Sequence, residues 1–280
     1  PNEAEMQNLA RYLLGGGSDP KSDGEGFAKK GVVYVTFNYR LGVFGFLAHP
    51  ALSAESPEGS SSNYGLLDNI AALRWIKENI AGFGGDPDRV TLFGCSAGSA
   101  SIGLLLASPL AAGLFEQAIL ESPGVFRPLC SLADAEKVGV AAMGDDLAAM
   151  RQMTTEEVFA KTPEFVPKVR GLTTPRVLRP IRDGLVIPAD ECDAWAAGRT
   201  HPMPILVGSN TDEGSRFVGG WPIKTLDQYR ANVAENFTHR TDEALGHYPA
   251  AGEADILAGL AHLFGDTQLH YGAWKLAVEM

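Results

Sequence analysis

The sequence is short of several features that mark whole classes of protein. It holds three cysteines in 280 residues, Cys95, Cys130 and Cys192, and no two form a C-x-x-C pair. That spacing excludes a zinc knuckle or a dithiol redox centre. One disulfide with a leftover thiol is possible, and three reduced thiols are the simpler reading. Basic residues are in deficit, 23 Lys and Arg against 34 Asp and Glu, for a net charge of −11. With no basic run anywhere, neither nucleic acid nor an anionic membrane surface is an expected partner. Long apolar runs are missing too: the most apolar stretch, residues 100–115, is interrupted by Ser108 and Pro109 and is too short to span a bilayer. The opening PNEAEMQNLA lacks the charged-then-apolar pattern of a leader. Since the chain begins with Pro1 rather than Met, the compartment stays open.

What is present is enough apolar residue, 45% of the chain, to build a large core. Residues 32–38, VVYVTFN, are β-branched and aromatic and predict a buried strand. From Gly65 the pattern changes to Leu66, Leu67, Ile70, Leu73, Ile76 and Ile80, one apolar stripe of a helix that ends at Gly82. Residues 89–94, 117–122 and 203–209 predict three more strands, and SASIGLLLAS after the first of them predicts an apolar helix. Strands alternating with helices indicate an α/β fold, a mostly parallel sheet with helices on both faces. The rhythm breaks over residues 127–200, which are expected to form a mainly helical insertion in a single domain covering 1–280. Further helices are predicted at TLDQYRANVAEN and EADILAGLAHLF.

Residues 92–98, LFGCSAG, run from the end of a strand into a G-x-S-x-G turn and then a helix. This is the context of a nucleophile elbow, which holds a serine out on a strained turn. Glycines at 94 and 98 are read as making room for the turn, and the Ala97 N–H is placed to donate to an oxyanion formed when Ser96 attacks a carbonyl. The alternative is a structural turn of small residues.

Three segments, VVYVTFNYRLGVFGFLAHP, residues 63–101 and PILVGSNTDEGSRF, together resemble the type-B carboxylesterases, the family that includes the cholinesterases. RPIRDGLVIPADECDAWAAG is similar to the Asp-Gly segment that precedes the acid in that family. The likeness covers most of residues 17–218, with Cys95 standing where the family usually has Glu. It implies an α/β-hydrolase fold and hydrolysis of carboxylic esters through an acyl-enzyme on Ser96, with no metal or organic cofactor. In GSNTDEGSRF, Glu213 matches the triad acid, and Ser122 falls where the family has a serine bonded near that acid. The expected substrate is a small neutral ester with an apolar acyl or alcohol part. Phe217 and Trp221 belong either to its pocket or to the core.

Two parts of the pattern do not appear. The triad order places the histidine after the acid, yet His239, His247, His262 and His270 lie outside the His-Gly-x-Glu context that the family uses. Gly15, Gly16 and Gly17 look like an oxyanion loop but align with its downstream flank. The resemblance therefore implies a fragment lacking both flanks, impaired or inactive as an isolated chain. A second class of function, a non-catalytic esterase-like binding or adhesion module, is opposed by the presence of both Ser96 and Glu213. Oligomeric state has no signature in the sequence.

Overall fold

The computed structural model describes residues 23–166 and 176–279. Three parallel strands, β1 (Thr91–Cys95), β2 (Gln117–Glu121) and β3 (Ile205–Gly208), lie in the order β1-β2-β3. Their register sets Gly94 beside Leu120 and Cys95 beside Glu121, with Glu121 beside Gly208 on the other side. All three carboxyl ends therefore meet at one edge of the sheet. Helices α1 (Tyr64–Asn79) and α2 (Ala97–Ala107) flank β1 in sequence. Then come α3 (Leu132–Met143), α4 (Leu147–Gln152) and α5 (Thr155–Ala160), and near the end α6 (Leu226–Phe237), α7 (Ile256–Gly265) and α8 (Tyr271–Glu279). No described helix is long and apolar enough to cross a membrane.

The helical stripe read from the sequence is the one that packs. Leu66, Ile70, Leu73 and Ile76 of α1 are buried with Leu104, Leu105 and Leu106 of α2 against Ala118 and Leu120 of β2. Each side chain so buried contributes about 1.5–3 kcal/mol. Leu92, Ile205 and Val207 pack against the same core, so this face of the sheet is covered. Strand alternation turns Phe93 and Leu206 to the opposite face, where they are 40% and 65% exposed. On that face Phe93 meets the rings of Phe27 and Tyr34, at 5.7 and 6.0 Å.

Residues 32–38 depart from their reading as a buried strand. They join no strand ladder among the described residues, and Val32, Val33 and Val35 are exposed. β-Branched composition reports fitness for a half-buried pleated surface, and it forms a strand only where a neighbour supplies the ladder.

Residues 127–200 carry α3, α4 and α5 and a short helix, Glu191–Ala196. Ala142 of α3 and Val158 of α5 pack with Phe165 on Val43 and Leu47. This region is tied back to α1 by Asn63, whose amide donates to the Ile181 carbonyl at 2.9 Å and accepts the Ile181 N–H at 3.0 Å. Asn63 is fully buried and sits in the left-handed region at φ 53°, which Asn tolerates better than most residues. All three cysteines are free thiols. Replacing Asn63 by Ala strands both backbone groups of Ile181, which is expected to cost about 3 kcal/mol. Urea unfolding checks this, and a loss below about 1 kcal/mol, the net worth of one ordinary hydrogen bond, would show that the link to Ile181 does not hold the region.

Candidate active site

Ser96 stands between β1 and α2 with φ 55° and ψ −111°, a backbone region that residues with side chains avoid. The neighbouring chain holds it there. Its N–H donates to the Glu121 carbonyl at 2.9 Å, and its own carbonyl accepts the Ala100 N–H at 2.9 Å. The Ser99 hydroxyl donates to the same Glu121 oxygen at 3.0 Å. Space is the second requirement. A Cβ at Gly94 would lie 2.8 Å from the carbonyl carbon of Gly98, so no side chain fits there. At Gly98 a Cβ would meet nothing within 4 Å among the described residues. Steric exclusion, expected of both glycines, therefore operates at Gly94.

The hydroxyl of Ser96 is exposed and makes no hydrogen bond among the described residues. Ala97 opens α2, and a first helical residue has no preceding turn to take its N–H. Ser96 caps the positive end of this 11-residue helix, and Ser96 and Ala97 line the same cavity. Gly15, Gly16 and Gly17 lie outside the described residues.

Glu213 follows β3 and is nearly buried, 9% exposed. Three donors converge on its Oε1: the Ser122 hydroxyl at 2.6 Å, the Asn210 N–H at 2.6 Å and the Asn210 amide at 3.1 Å. Its Oε2 takes none from the described residues. Ser122 directly follows β2 at φ 50°, and its N–H bonds the Gly208 carbonyl at 2.7 Å. Ser96, Ser122 and Glu213 thus leave the same edge of the sheet from three adjacent strands. The Cys95 thiol registers this closeness: burial and then the charges of Glu121 and Glu213 raise its pKa.

The loop bearing the acid is seated on α7. A Cβ at Gly214 would come within 1.8 Å of the Ala261 carbonyl oxygen, so only glycine allows that approach. A π-helical turn, Asp266–His270, links α7 to α8. From it the His270 ring reaches the Asn210 carbonyl through Nε2 and Asp266 through Nδ1, both at 2.7 Å. Both partners offer acceptor oxygens, an arrangement that favours the doubly protonated ring. Among the described residues neither this histidine nor His239, His247 or His262 hydrogen-bonds Ser96. Asn210 was missed in the sequence, and His270 was weighed there only as a triad base, because neither carries a local pattern that marks their contact.

A cavity of about 870 Å³ opens in front of Ser96 and Ala97. Phe217 and Trp221 both line it; Phe217 stacks on Phe264 at 5.0 Å and Trp221 meets the same ring edge-on at 6.0 Å. Among the described residues no group of three or more His, Cys, Asp and Glu side chains is placed to hold a metal ion.

A strained serine between a parallel strand and a helix, with an acid after another strand of the same sheet, defines an α/β-hydrolase fold. The model of the Carboxylesterase family matches residues 10–258, and the chain belongs to that family. It is 49% identical over 258 residues to the Fumonisin B1 esterase of Sphingopyxis macrogoltabida, covering 92% of this chain and 48% of that protein. It is 38% identical over 212 residues to the Para-nitrobenzyl esterase of Bacillus subtilis (strain 168), covering 74% of this chain and 42% of that protein. The solved structure of a PNB esterase superposes with a TM-score of 0.74 at 31% identity, over 92% of this chain and 55% of that one. The chain therefore spans about half the length of the curated relatives it matches.

His270 gives the site a pH dependence with a definite sign. Burial alone would lower its pKa, but the hydrogen bonds to Asp266 and Asn210 outweigh it and raise the value above the ordinary 6.5. A raised value means the imidazolium stabilises the folded loop fully below pH 6.5, and that support fades as pH climbs through the folded pKa. Amide exchange across residues 209–214, corrected for intrinsic rate, should quicken over that interval and lose the step in His270→Ala. A His270 titration midpoint below 6.5 by NMR would contradict the assignment.

Proposed function

We infer that this chain supplies the nucleophile and the acid of a serine hydrolase acting on carboxylic esters. The Ser96 oxygen attacks the ester carbonyl carbon, its proton passes to a general base, and the carbonyl oxygen becomes an oxyanion facing the Ala97 N–H. Collapse then breaks the bond to the alcohol, which leaves with the proton from the base, and water reverses the sequence to free the acid. Glu213 is the orienting carboxylate for an imidazole base. The observation that carries this reading is the division of labour on that carboxylate, with Oε1 saturated by Ser122 and Asn210. Oε2 remains for a histidine N–H. The same retained pair speaks against a purely adhesive module, which has no use for a strained serine facing a cavity.

No described histidine hydrogen-bonds Ser96, which supports a base other than the four in-chain candidates. Without a base the serine keeps its proton near neutral pH, and loss of such a group lowers turnover by several orders of magnitude. A missing second oxyanion donor would lower it by about 10²–10³ more. The 280-residue chain is therefore expected to hydrolyse p-nitrophenyl acetate barely above background, while a fluorophosphonate still labels it slowly. Peptide mapping should place that label on Ser96, and Ser96→Ala should remove it. Labelling at another residue would overturn the nucleophile; turnover at an ordinary esterase rate that Ser96→Ala abolishes would mean that a histidine of these 280 residues is the base.

A further inference from the structure

One wall of the cavity starts from a residue in an uncommon conformation. Phe126 has φ 57°, a left-handed backbone that a bulky residue rarely adopts. Its ring lies edge-on to Trp195 at 5.8 Å, and the Lys275 Nζ stands 5.4 Å from the ring centre. Its N–H donates to the Oε2 of Glu191 at 2.7 Å. The next three residues, Arg127, Pro128 and Leu129, line the cavity, and the Leu129 N–H donates to the Oδ1 of Asp190 at 3.2 Å. Two successive carboxylic side chains at the start of the short helix Glu191–Ala196 therefore fasten this stretch of wall.

Of the two, Glu191 is the unusual anchor. Asp190 is paired with Arg182, whereas Glu191 is 4% exposed and its Oε1 has no hydrogen-bond partner among the described residues. That oxygen faces the backbone of α2, where a Cβ at Gly103 would lie 3.1 Å from it. A buried carboxylate with an unpaired oxygen is costly, so burial favours the neutral acid and pushes the carboxyl up to about 8. α2 brings no titratable side chain to this place. The titratable groups around Glu191 are Arg127 on the fastened stretch and Asp190 and Cys192 on either side of it in sequence. Arg176 lies near Arg127, and Lys275 of α8 near Cys192. The Arg127 Nη2 donates to the Gln268 carbonyl at 2.7 Å, while its Nε is buried with no acceptor. Glu191 and Arg127 thus each carry one buried, unpaired polar atom, on groups close enough to attract one another.

We propose that Glu191 is a proton switch in the cavity wall: as the neutral acid it leaves Arg127 on the Gln268 carbonyl, and on releasing its proton to solvent it draws the Arg127 Nε to its Oε1. The guanidinium then leaves Gln268, and the wall formed by Arg127, Pro128 and Leu129 changes shape. The switch acts on the cavity itself, whatever the nucleophile in front of it. Its effect on stability has a definite sign. The folded chain binds this proton more tightly than the unfolded chain, whose carboxyl has the ordinary value of 4.5. Stability is therefore unaffected below 4.5 and declines as pH rises from there to about 8.

The test is carboxyl and guanidinium NMR of the 280-residue chain, with Glu191→Gln as the variant that mimics the neutral acid and cannot ionise. The Glu191 carboxyl carbon should titrate with a midpoint near pH 8, and the Arg127 Nε–H signal should shift with that same midpoint. In Glu191→Gln the Arg127 signal should stay still. The melting temperature of Glu191→Gln relative to the parent should rise by about 4 °C or more between about pH 6 and pH 9. A Glu191 midpoint below about 6 would overturn the proposal. So would an Arg127 signal that does not follow Glu191, which is the behaviour of a buried acid with a structural role alone, or a melting difference that stays level with pH. Both NMR readings are made on the parent, so they decide the matter even where Glu191→Gln does not fold.

Discussion

The carbonyl oxygen of Glu121 accepts from both the Ser96 N–H and the Ser99 hydroxyl, and the site is organised around that junction. It fastens the end of β1 to β2 and fixes the first turn of α2 at once, which over-determines a backbone conformation worth about 1–3 kcal/mol of strain. Gly94 against Gly98 supplies the close approach that lets the helix start so soon after the strand. With the turn locked, Ser96 and Ala97, the first residue of α2, line one cavity.

The second half of the site depends on the same sheet edge but on different elements. Ser122 is bound to the end of β2 and Asn210 to the loop after β3, and both donate to one oxygen of Glu213. The loop itself rests on α7 through Gly214 and on the π-helical turn through His270. Register therefore decides function: a shift of one residue between β2 and β3 would turn Ser122 away from the acid and reverse every side chain on the strand.

The strained turn at Ser96 and the placing of Ser122 and Glu213 at the same sheet edge were legible because each sits in a short local pattern after a strand, and α1 was legible because its stripe is the one that packs. Residues 32–38 were misread since composition cannot report whether a strand has a neighbour. The contacts of Asn210, His270 and Arg127 were invisible for another reason. Arg127 meets Gln268 across 141 positions and His270 meets Asn210 across 60, and only the folded chain brings such pairs together.

The central claim, that the strained turn aims Ser96 and the Ala97 N–H at one reacting centre, is tested most directly by a crystal structure of the chain after prolonged treatment with a fluorophosphonate. The account predicts phosphorus on the Ser96 oxygen, Ser96 still at positive φ, and a phosphonyl oxygen about 3 Å from the Ala97 nitrogen. A phosphonyl oxygen turned away from α2, or a Ser96 relaxed to ordinary helical angles in the adduct, would contradict it.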